Sequence, residues 1–330
     1  MLDLKAILLY MLALVILGLV CGHFGLRILK RKAAGQEVRE EGPESHYKKS
    51  GTATFGGAFF IIPLVIAALA SFYFPAFGLF RLLVLGMLLF ALIGFADDYI
   101  KVYVQKGGLS VRQKTVLMLI AVFACGIYYL YFLAEAAVFR LPFVGRSLEI
   151  SGLWKIVYLL FTAVYLYFMT NAVNLTDGID GLASSVSIIV ALAIAVISNK
   201  LGLADAAKTS VIYFALGLAA GLIAFLYFNR HPAKVFMGDT GSLALGAGIA
   251  LAFLYLGLPW ALLFVGFVYI MEALSVVIQV AYFKHSGGKR IFKMTPIHHH
   301  FELSGWGEWK IVAVFSLITL VLSAVAYLII

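Results

Sequence analysis

The segment Asn171-Ala-Val-Asn174-Leu-Thr-Asp177-Gly-Ile-Asp180-Gly181 carries two carboxylates, two carboxamides and two glycines, with no basic residue to pair with them. Asp177 and Asp180 stand three residues apart, as do Asn174 and Asp177, so in a helical turn all three project from one face. Gly178 and Gly181 leave room for backbone or ligand where a Cβ would obstruct. The flanking runs, Trp154 to Thr170 and Leu182 to Ser198, are apolar and long enough to cross the roughly 30 Å hydrocarbon core of a bilayer. Acids at a membrane edge point to a metal-assisted site. The competing reading is a capped helix end with solvated acids, and the other loops decide between the two.

Those loops carry complementary chemistry. Lys48-Lys49-Ser-Gly51-Thr52-Ala-Thr54-Phe-Gly56-Gly57 runs two lysines into a Gly/Thr turn at the start of a span. Ammonium groups, hydroxyls and helix-start amides suit a phosphate or pyrophosphate, although lysines before a span are also ordinary topology signals. Asp97-Asp98-Tyr-Ile-Lys101 closes another span, with Arg112 and Lys114 nearby. Adjacent helical residues diverge by about 100°, so only one of the two carboxylates is expected to face a reacting centre. Paired acids at a helix C-terminus oppose the dipole, which argues against decoration. In Asn229-Arg230-His-Pro-Ala-Lys234-Val-Phe236-Met-Gly238-Asp239-Thr-Gly241-Ser242, Asp239 lies between glycines at a span start. It reads either as an N-cap or as a hard-oxygen ligand for Mg²⁺ or Mn²⁺. Pro296-Ile-His298-His299-His300-Phe-Glu302 could bind zinc, but consecutive helical side chains cannot converge, so phosphate donation by one or two histidines is the better reading. Glu272, with Gln279 two turns on along the same face, should meet protein or a polar cleft rather than lipid, and the sequence assigns it no partner.

The elements that position these groups are membrane spans. The chain is 63% hydrophobic and 12% charged with a mean hydropathy of +1.03, whereas about a quarter of a soluble globule is charged. An all-α integral membrane protein is predicted, as one polytopic domain over 1–330. Its ten spans are 4–26, 57–75, 79–96, 114–134, 154–172, 182–198, 209–228, 241–257, 260–283 and 309–330. The first lacks a small-residue cleavage site and reads as a retained span. Of 25 Lys and Arg, 18 fall in or beside the loops 27–56, 97–113, 173–181, 229–240 and 284–308. The positive-inside rule makes that side cytoplasmic, with both termini outside. A net charge of +9 therefore sets topology and attracts anionic lipid or phosphate ligands, and no nucleic-acid partner is expected. Cys21 and Cys125 lie in apolar runs and read as small buried hydrophobes. An ion-coupled transporter also places acids in spans, but usually near the midplane and with inverted repeats. Here the acids gather at one face.

The segments Asp97-Asp98-Tyr-Ile-Lys101, Asn174-Leu-Thr-Asp177-Gly-Ile-Asp180-Gly181, Phe236-Met-Gly-Asp239-Thr-Gly-Ser242 and Pro296-Ile-His298-His299-His300-Phe-Glu302 resemble the signature set of the polyprenyl-phosphate N-acetylhexosamine 1-phosphate transferases. Within that superfamily the triple-histidine segment, Gly305-Trp306 and Lys49-Ser-Gly-Thr-Ala-Thr54 are most similar to the phospho-N-acetylmuramoyl-pentapeptide transferase family. The likeness runs in order from about residue 45 to 310; Ala53 stands where that family usually has proline, which loosens the turn slightly. The resemblance implies transfer of phospho-MurNAc-pentapeptide from UDP-MurNAc-pentapeptide to undecaprenyl phosphate, giving lipid I and UMP with Mg²⁺. It also implies a homodimer in the bacterial inner membrane, a bent ninth span beside a lipid groove, and inhibition by nucleoside antibiotics.

On that footing the catalytic residues expected are Asp97, Asp98, Asp239 and His298, with Asp239 and Asp177 in the metal shell. Lys49, Thr54, Lys101, Lys114, Asn171, Asn174, Asp177, Asp180, Asn229, Phe236, Gly238, Ser242, Gln279 and His299 are expected to serve the substrates. Phe236 is assigned to stacking on uracil and Asp180 to holding its loop. A phosphate monoester is mostly dianionic at neutral pH, its second pKa being near ~6. Direct attack by the lipid phosphate is therefore favoured over general-base or covalent routes, with Asp97 orienting the acceptor and Asp98 supporting metal or Lys101.

Overall fold

The structure, a computed structural model, describes residues 3–31, 51–104, 107–132, 138–143 and 145–330. The helices are α1 (Leu4–Arg31), α2 (Ala58–Ala70), α3 (Gly78–Tyr103), α4 (Val111–Phe132), α5 (Trp154–Thr176), α6 (Leu182–Lys200), α7 (Asp205–Asn229), α8 (Gly238–Tyr255), α9 (Leu262–Val265), α10 (Phe267–His285), α11 (Ile297–Glu302) and α12 (Glu308–Ile329). Among the described residues nine helices are long and apolar enough to cross a membrane, and the run Ala58–Tyr73 is a shorter apolar one. Nine of the ten predicted spans thus have a counterpart of spanning length. The tenth, predicted over 57–75, is α2 followed by 3-10 turns at Ser71–Tyr73 and Pro75–Phe77.

The run 260–283, the ninth span that the resemblance implies to be bent, is not one straight helix: a 3-10 turn at Pro259–Ala261 leads into α9, and the helical path is interrupted at Gly266 before α10. Between α4 and α5, the strands β1 (Val138–Arg140) and β2 (Ser147–Glu149) form an antiparallel hairpin. It clamps the turn after α8, since Arg140 N donates to Gly257 O at 2.8 Å and Trp260 Nε1 donates to Arg140 O at 2.7 Å.

α8 is the axis of the bundle. Its sequence GDTGSLALGAGIALAFLY is rich in small residues, and Gly241 to Ala250 is buried without a break. Small side chains let helices approach to backbone contact, which in a bilayer supplies the packing that a hydrophobic driving force cannot. A Cβ at Gly94 of α3 would overlap the Asp239 carbonyl, one at Gly57 would overlap Gly241, and one at Gly246 would press on Thr170 of α5. α3, α5 and the start of α2 therefore converge on the first three turns of α8. Asp239 is at its second residue, so the helix that is packed from most sides presents its N-terminus, and this carboxylate, at one end of the bundle.

Candidate functional site

Two helices bring ammonium groups to Asp239, and a third brings a carboxamide. Lys101 Nζ, one turn after Asp97 on α3, lies 2.6 Å from Asp97 Oδ2 and 3.0 Å from Asp239 Oδ2. Lys114 Nζ, from the first turn of α4, ion-pairs with Asp239 Oδ2 and stands 3.6 Å from Asp97 Oδ2. Asn174 Nδ2, near the end of α5, donates to Asp239 Oδ1 at 2.9 Å and to Ser242 Oγ at 2.7 Å. The 107–110 turn folds over this cluster: Leu109 N donates to Asp97 Oδ1 at 2.7 Å, and the φ of +68° at Gly108 allows the close approach. Two ammonium groups thus bridge two carboxylates that belong to different helices.

The adjacent acids do diverge. Asp98 is buried and turns to the start of α8, a helix with no side-chain cap of its own. Its carboxylate accepts from Asp239 N at 3.1 Å, Thr240 N at 2.9 Å and Thr240 Oγ1 at 2.7 Å. A helix start exposes unpaired N–H groups and a partial positive charge. Asp98 supplies both the acceptors and the opposite charge from across the bundle, which fixes where Asp239 stands. Thr54 is buried beside Asp98 and Gly238, its hydroxyl without a partner among the described residues. Its turn is held by Phe236: Phe236 N donates to Ala53 O at 2.8 Å, and Gly56 N to Phe236 O at 2.9 Å. The first of these bonds uses the carbonyl of residue 53, so the missing proline costs it nothing. The Phe236 ring is half-buried, and the φ of +72° at Gly238 is one that glycine adopts freely. Lys49 lies outside the described residues.

A hard cation would find suitable donors here. Oxygens of Asp97, Asp98 and Asp239 lie within 4.8 Å of one another, an all-oxygen set that suits Mg²⁺ rather than a thiophilic metal. Asp177, expected as a second ligand, stands beside this trio rather than within it. It caps the C-terminus of α5, and no bond to its side chain is made by the described residues. Burial, followed by the charges of Asp239, Asp98 and Asp180, holds its carboxyl well above the usual carboxylate range.

Asp180, Asn229 and Gln279 act on loops. Asp180 Oδ2 accepts from His231 Nδ1 and Ala233 N, each at 3.0 Å, and Asp180 N donates to Glu308 Oε2 at 3.1 Å. Asn229 Oδ1 accepts from Gly181 N and Ser184 Oγ, each at 3.1 Å, while its Nδ2 donates to Val235 O at 3.0 Å. Gln279 Oε1 accepts from Ile291 N and Phe292 N at 3.0 Å, pinning the loop that precedes the histidines. Asn171 donates to Tyr167 O within its own helix at 2.7 Å.

The three histidines point to three partners. His298 Nδ1 meets Glu272 Oε2 at 3.0 Å, His299 Nδ1 meets Glu302 Oε2 at 2.7 Å, and His300 Nδ1 accepts from Lys293 N at 3.1 Å. The described residues gather no zinc-like set around them. Glu272 thereby gains the partner that the sequence did not reveal. Also unforeseen were Glu308 and His231, whose signal was no more than a polar residue beside a span.

Residues 80–257 match the family described as glycosyl transferase family 4. The phospho-N-acetylmuramoyl-pentapeptide-transferase of Clostridium perfringens (strain 13 / Type A) is 41% identical to this chain over 340 residues, 99% of each protein. The protein of the same description from Carboxydothermus hydrogenoformans is 46% identical over 89% of each, and that of Staphylococcus carnosus is 44% identical over 89% of each.

Proposed function

The chain belongs to the phospho-N-acetylmuramoyl-pentapeptide transferases within glycosyl transferase family 4, and from that premise we propose how its residues carry out the reaction. The chain transfers phospho-MurNAc-pentapeptide from UDP-MurNAc-pentapeptide to undecaprenyl phosphate, giving lipid I and UMP. The observation that carries the site assignment is the convergence of Lys101, Lys114 and Asn174 on one carboxylate, Asp239, that also faces Asp97.

Phosphoryl transfer is mainly a matter of positioning and of neutralising charge. A pyrophosphate and a lipid phosphate bring several negative charges to one place. Lys101 and Lys114, both partly open to solvent, are the groups that offset them. Mg²⁺, held by Asp239 with Asp97 and Asp98 in reach, would supply further charge neutralisation of the phosphates when bound. Asn174 and Ser242 orient the Asp239 carboxylate, and Asp98 fixes the backbone that carries it. Phe236, at the turn beside Gly238, is assigned to stacking on uracil, with Asp177 on the nucleotide side. The lipid phosphate is already mostly dianionic at neutral pH, having a second pKa near ~6. It therefore attacks the sugar-bearing phosphorus directly, with Asp97 orienting it. The soluble donor and the membrane-held acceptor can meet only at a membrane edge. The excess of Lys and Arg in the loops on this side supports a cytoplasm-facing site, in a homodimer of the bacterial inner membrane.

The test is UMP release from UDP-MurNAc-pentapeptide by purified protein, with and without undecaprenyl phosphate, and with UDP-GlcNAc as a second donor. UMP is expected only when the acceptor is present and only from the muramoyl donor. Turnover of UDP-GlcNAc in its place would assign the chain a different donor.

A further inference from the structure

Glu272 and His298 form a fully buried pair that none of the steps above uses. Glu272 Oε2 faces His298 Nδ1 at 3.0 Å and His298 N at 3.4 Å. A carboxylate so placed accepts a hydrogen, so Nδ1 carries one. The other ring nitrogen gives an independent reading. His298 Nε2 is buried without a hydrogen-bond partner among the described residues, and a Cβ built on Gly178 would overlap it. What Nε2 faces is therefore a Cα–H of the 177–181 loop, which offers a weak donor and no acceptor. A hydrogen on Nε2 would point at that Cα–H, whereas a bare lone pair can accept from it weakly. Both edges of the ring select the same tautomer.

We propose that Glu272 is a positioning residue: it holds His298 as the Nδ1–H tautomer, whose bare Nε2 edge forms the floor on which Gly178 lays the loop carrying Asp177 and Asp180. The pair comes from α10 and α11, and the loop follows α5. One ring thus sets the height of the 177–181 loop against the triple-histidine segment. It also gives a reason for glycine at 178 separate from the left-handed φ of +77° that requires it at 181. A histidine that only filled space would need neither the carboxylate nor a particular tautomer. The functional consequence rests on the proposed function, since that loop is where the nucleotide is expected to bind.

The tautomer can be read without any activity. In protein labelled with ¹⁵N-histidine, the His298 signals are assigned by their loss in His298→Gln, and a protonated Nδ1 with a bare Nε2 is expected. Glu272→Gln should give mixed tautomers, because a carboxamide can donate to Nδ1 as well as accept from it. UMP affinity is then measured by calorimetry for wild type, Glu272→Gln and Gly178→Ala. Each variant is expected to bind about tenfold more weakly, equivalent to ~1.4 kcal/mol, with Gly178→Ala keeping the tautomer. A protonated Nε2 in wild type, or both variants binding UMP as tightly as wild type, would overturn the proposal. If wild type binds no UMP, the proposed function fails, while the tautomer still decides the role of Glu272.

Discussion

Asp98→Asn separates the two roles that adjacent aspartates can have. The Asp98 carboxylate receives three hydrogen bonds from the first turn of α8. A carboxamide keeps one acceptor oxygen and turns an NH₂ toward a donor, so at least one bond to a charged acceptor is lost, worth about 1.5–3 kcal/mol. Weakened capping of α8 adds about 1 kcal/mol, partly the same energy counted again. A loss of roughly 2–4 kcal/mol lowers the melting temperature of a 330-residue chain by about 3–6 °C. Activity should fall with it, because Asp239 N is one of the donors released. Asp97→Asn is the comparison: Lys101 and Lys114 keep their bonds to Asp239, so activity should fall with a smaller change in melting. The assay is thermal unfolding in detergent alongside UMP release. An Asp98→Asn protein that melts like wild type yet is inactive would refute the anchoring role and place that carboxylate on the reacting groups.

Asp239→Asn should remove most activity and weaken the Mg²⁺ dependence, since a neutral amide is a poor substitute for a hard anionic oxygen; normal turnover at ordinary Mg²⁺ would take Asp239 out of the metal shell. Among the histidines, His298→Ala should be severe, His299→Ala intermediate and His300→Ala mildest, following their separate partners; equal losses restored by zinc would instead mean a shared metal site. Asp177 gives a pH dependence. Its carboxyl is held above the ordinary value of about 4, so the folded state binds this proton more tightly than the unfolded one. Stability then falls as pH rises from that value through the raised one. Ligand-free Asp177→Asn should therefore melt above wild type at neutral pH, by a margin that shrinks as pH is lowered, while binding nucleotide more weakly; a margin constant with pH would contradict the burial of an ionised Asp177.

The spans and the chemistry-bearing residues were legible because both are violations of local composition. Long apolar runs stand out against a charged background, and Asp97, Asn174 and Asp239 stand out against the runs. The divergence of Asp97 from Asp98 followed from helical geometry alone. What stayed hidden was pairing at a distance. Nothing near Asp98 in sequence shows that its partners are at 239 and 240, and Glu272 finds His298 only once α11 folds back beneath the 177–181 loop. The interruption at Gly266 follows only from the resemblance and its bent ninth span, since hydropathy reports burial and not backbone path. The 138–149 hairpin was missed because each strand has only three residues, too few for an alternating pattern to show. Asn229 and Gln279 are expected at the substrates, and their bonds to loop backbone are not legible in the sequence. A polar side chain in an apolar span can serve a ligand or a loop, and only its partners distinguish the two.

Direct transfer between two substrates is tested by exchange of labelled UMP into UDP-MurNAc-pentapeptide in protein stripped of undecaprenyl phosphate. The leaving group departs only as the lipid phosphate arrives, so no exchange is expected above that of an Asp97→Asn control. An aspartyl-phosphate route releases UMP before lipid binds and must allow exchange. Robust exchange in stripped protein, abolished in Asp97→Asn or Asp98→Asn, would contradict direct attack and make that aspartate the nucleophile.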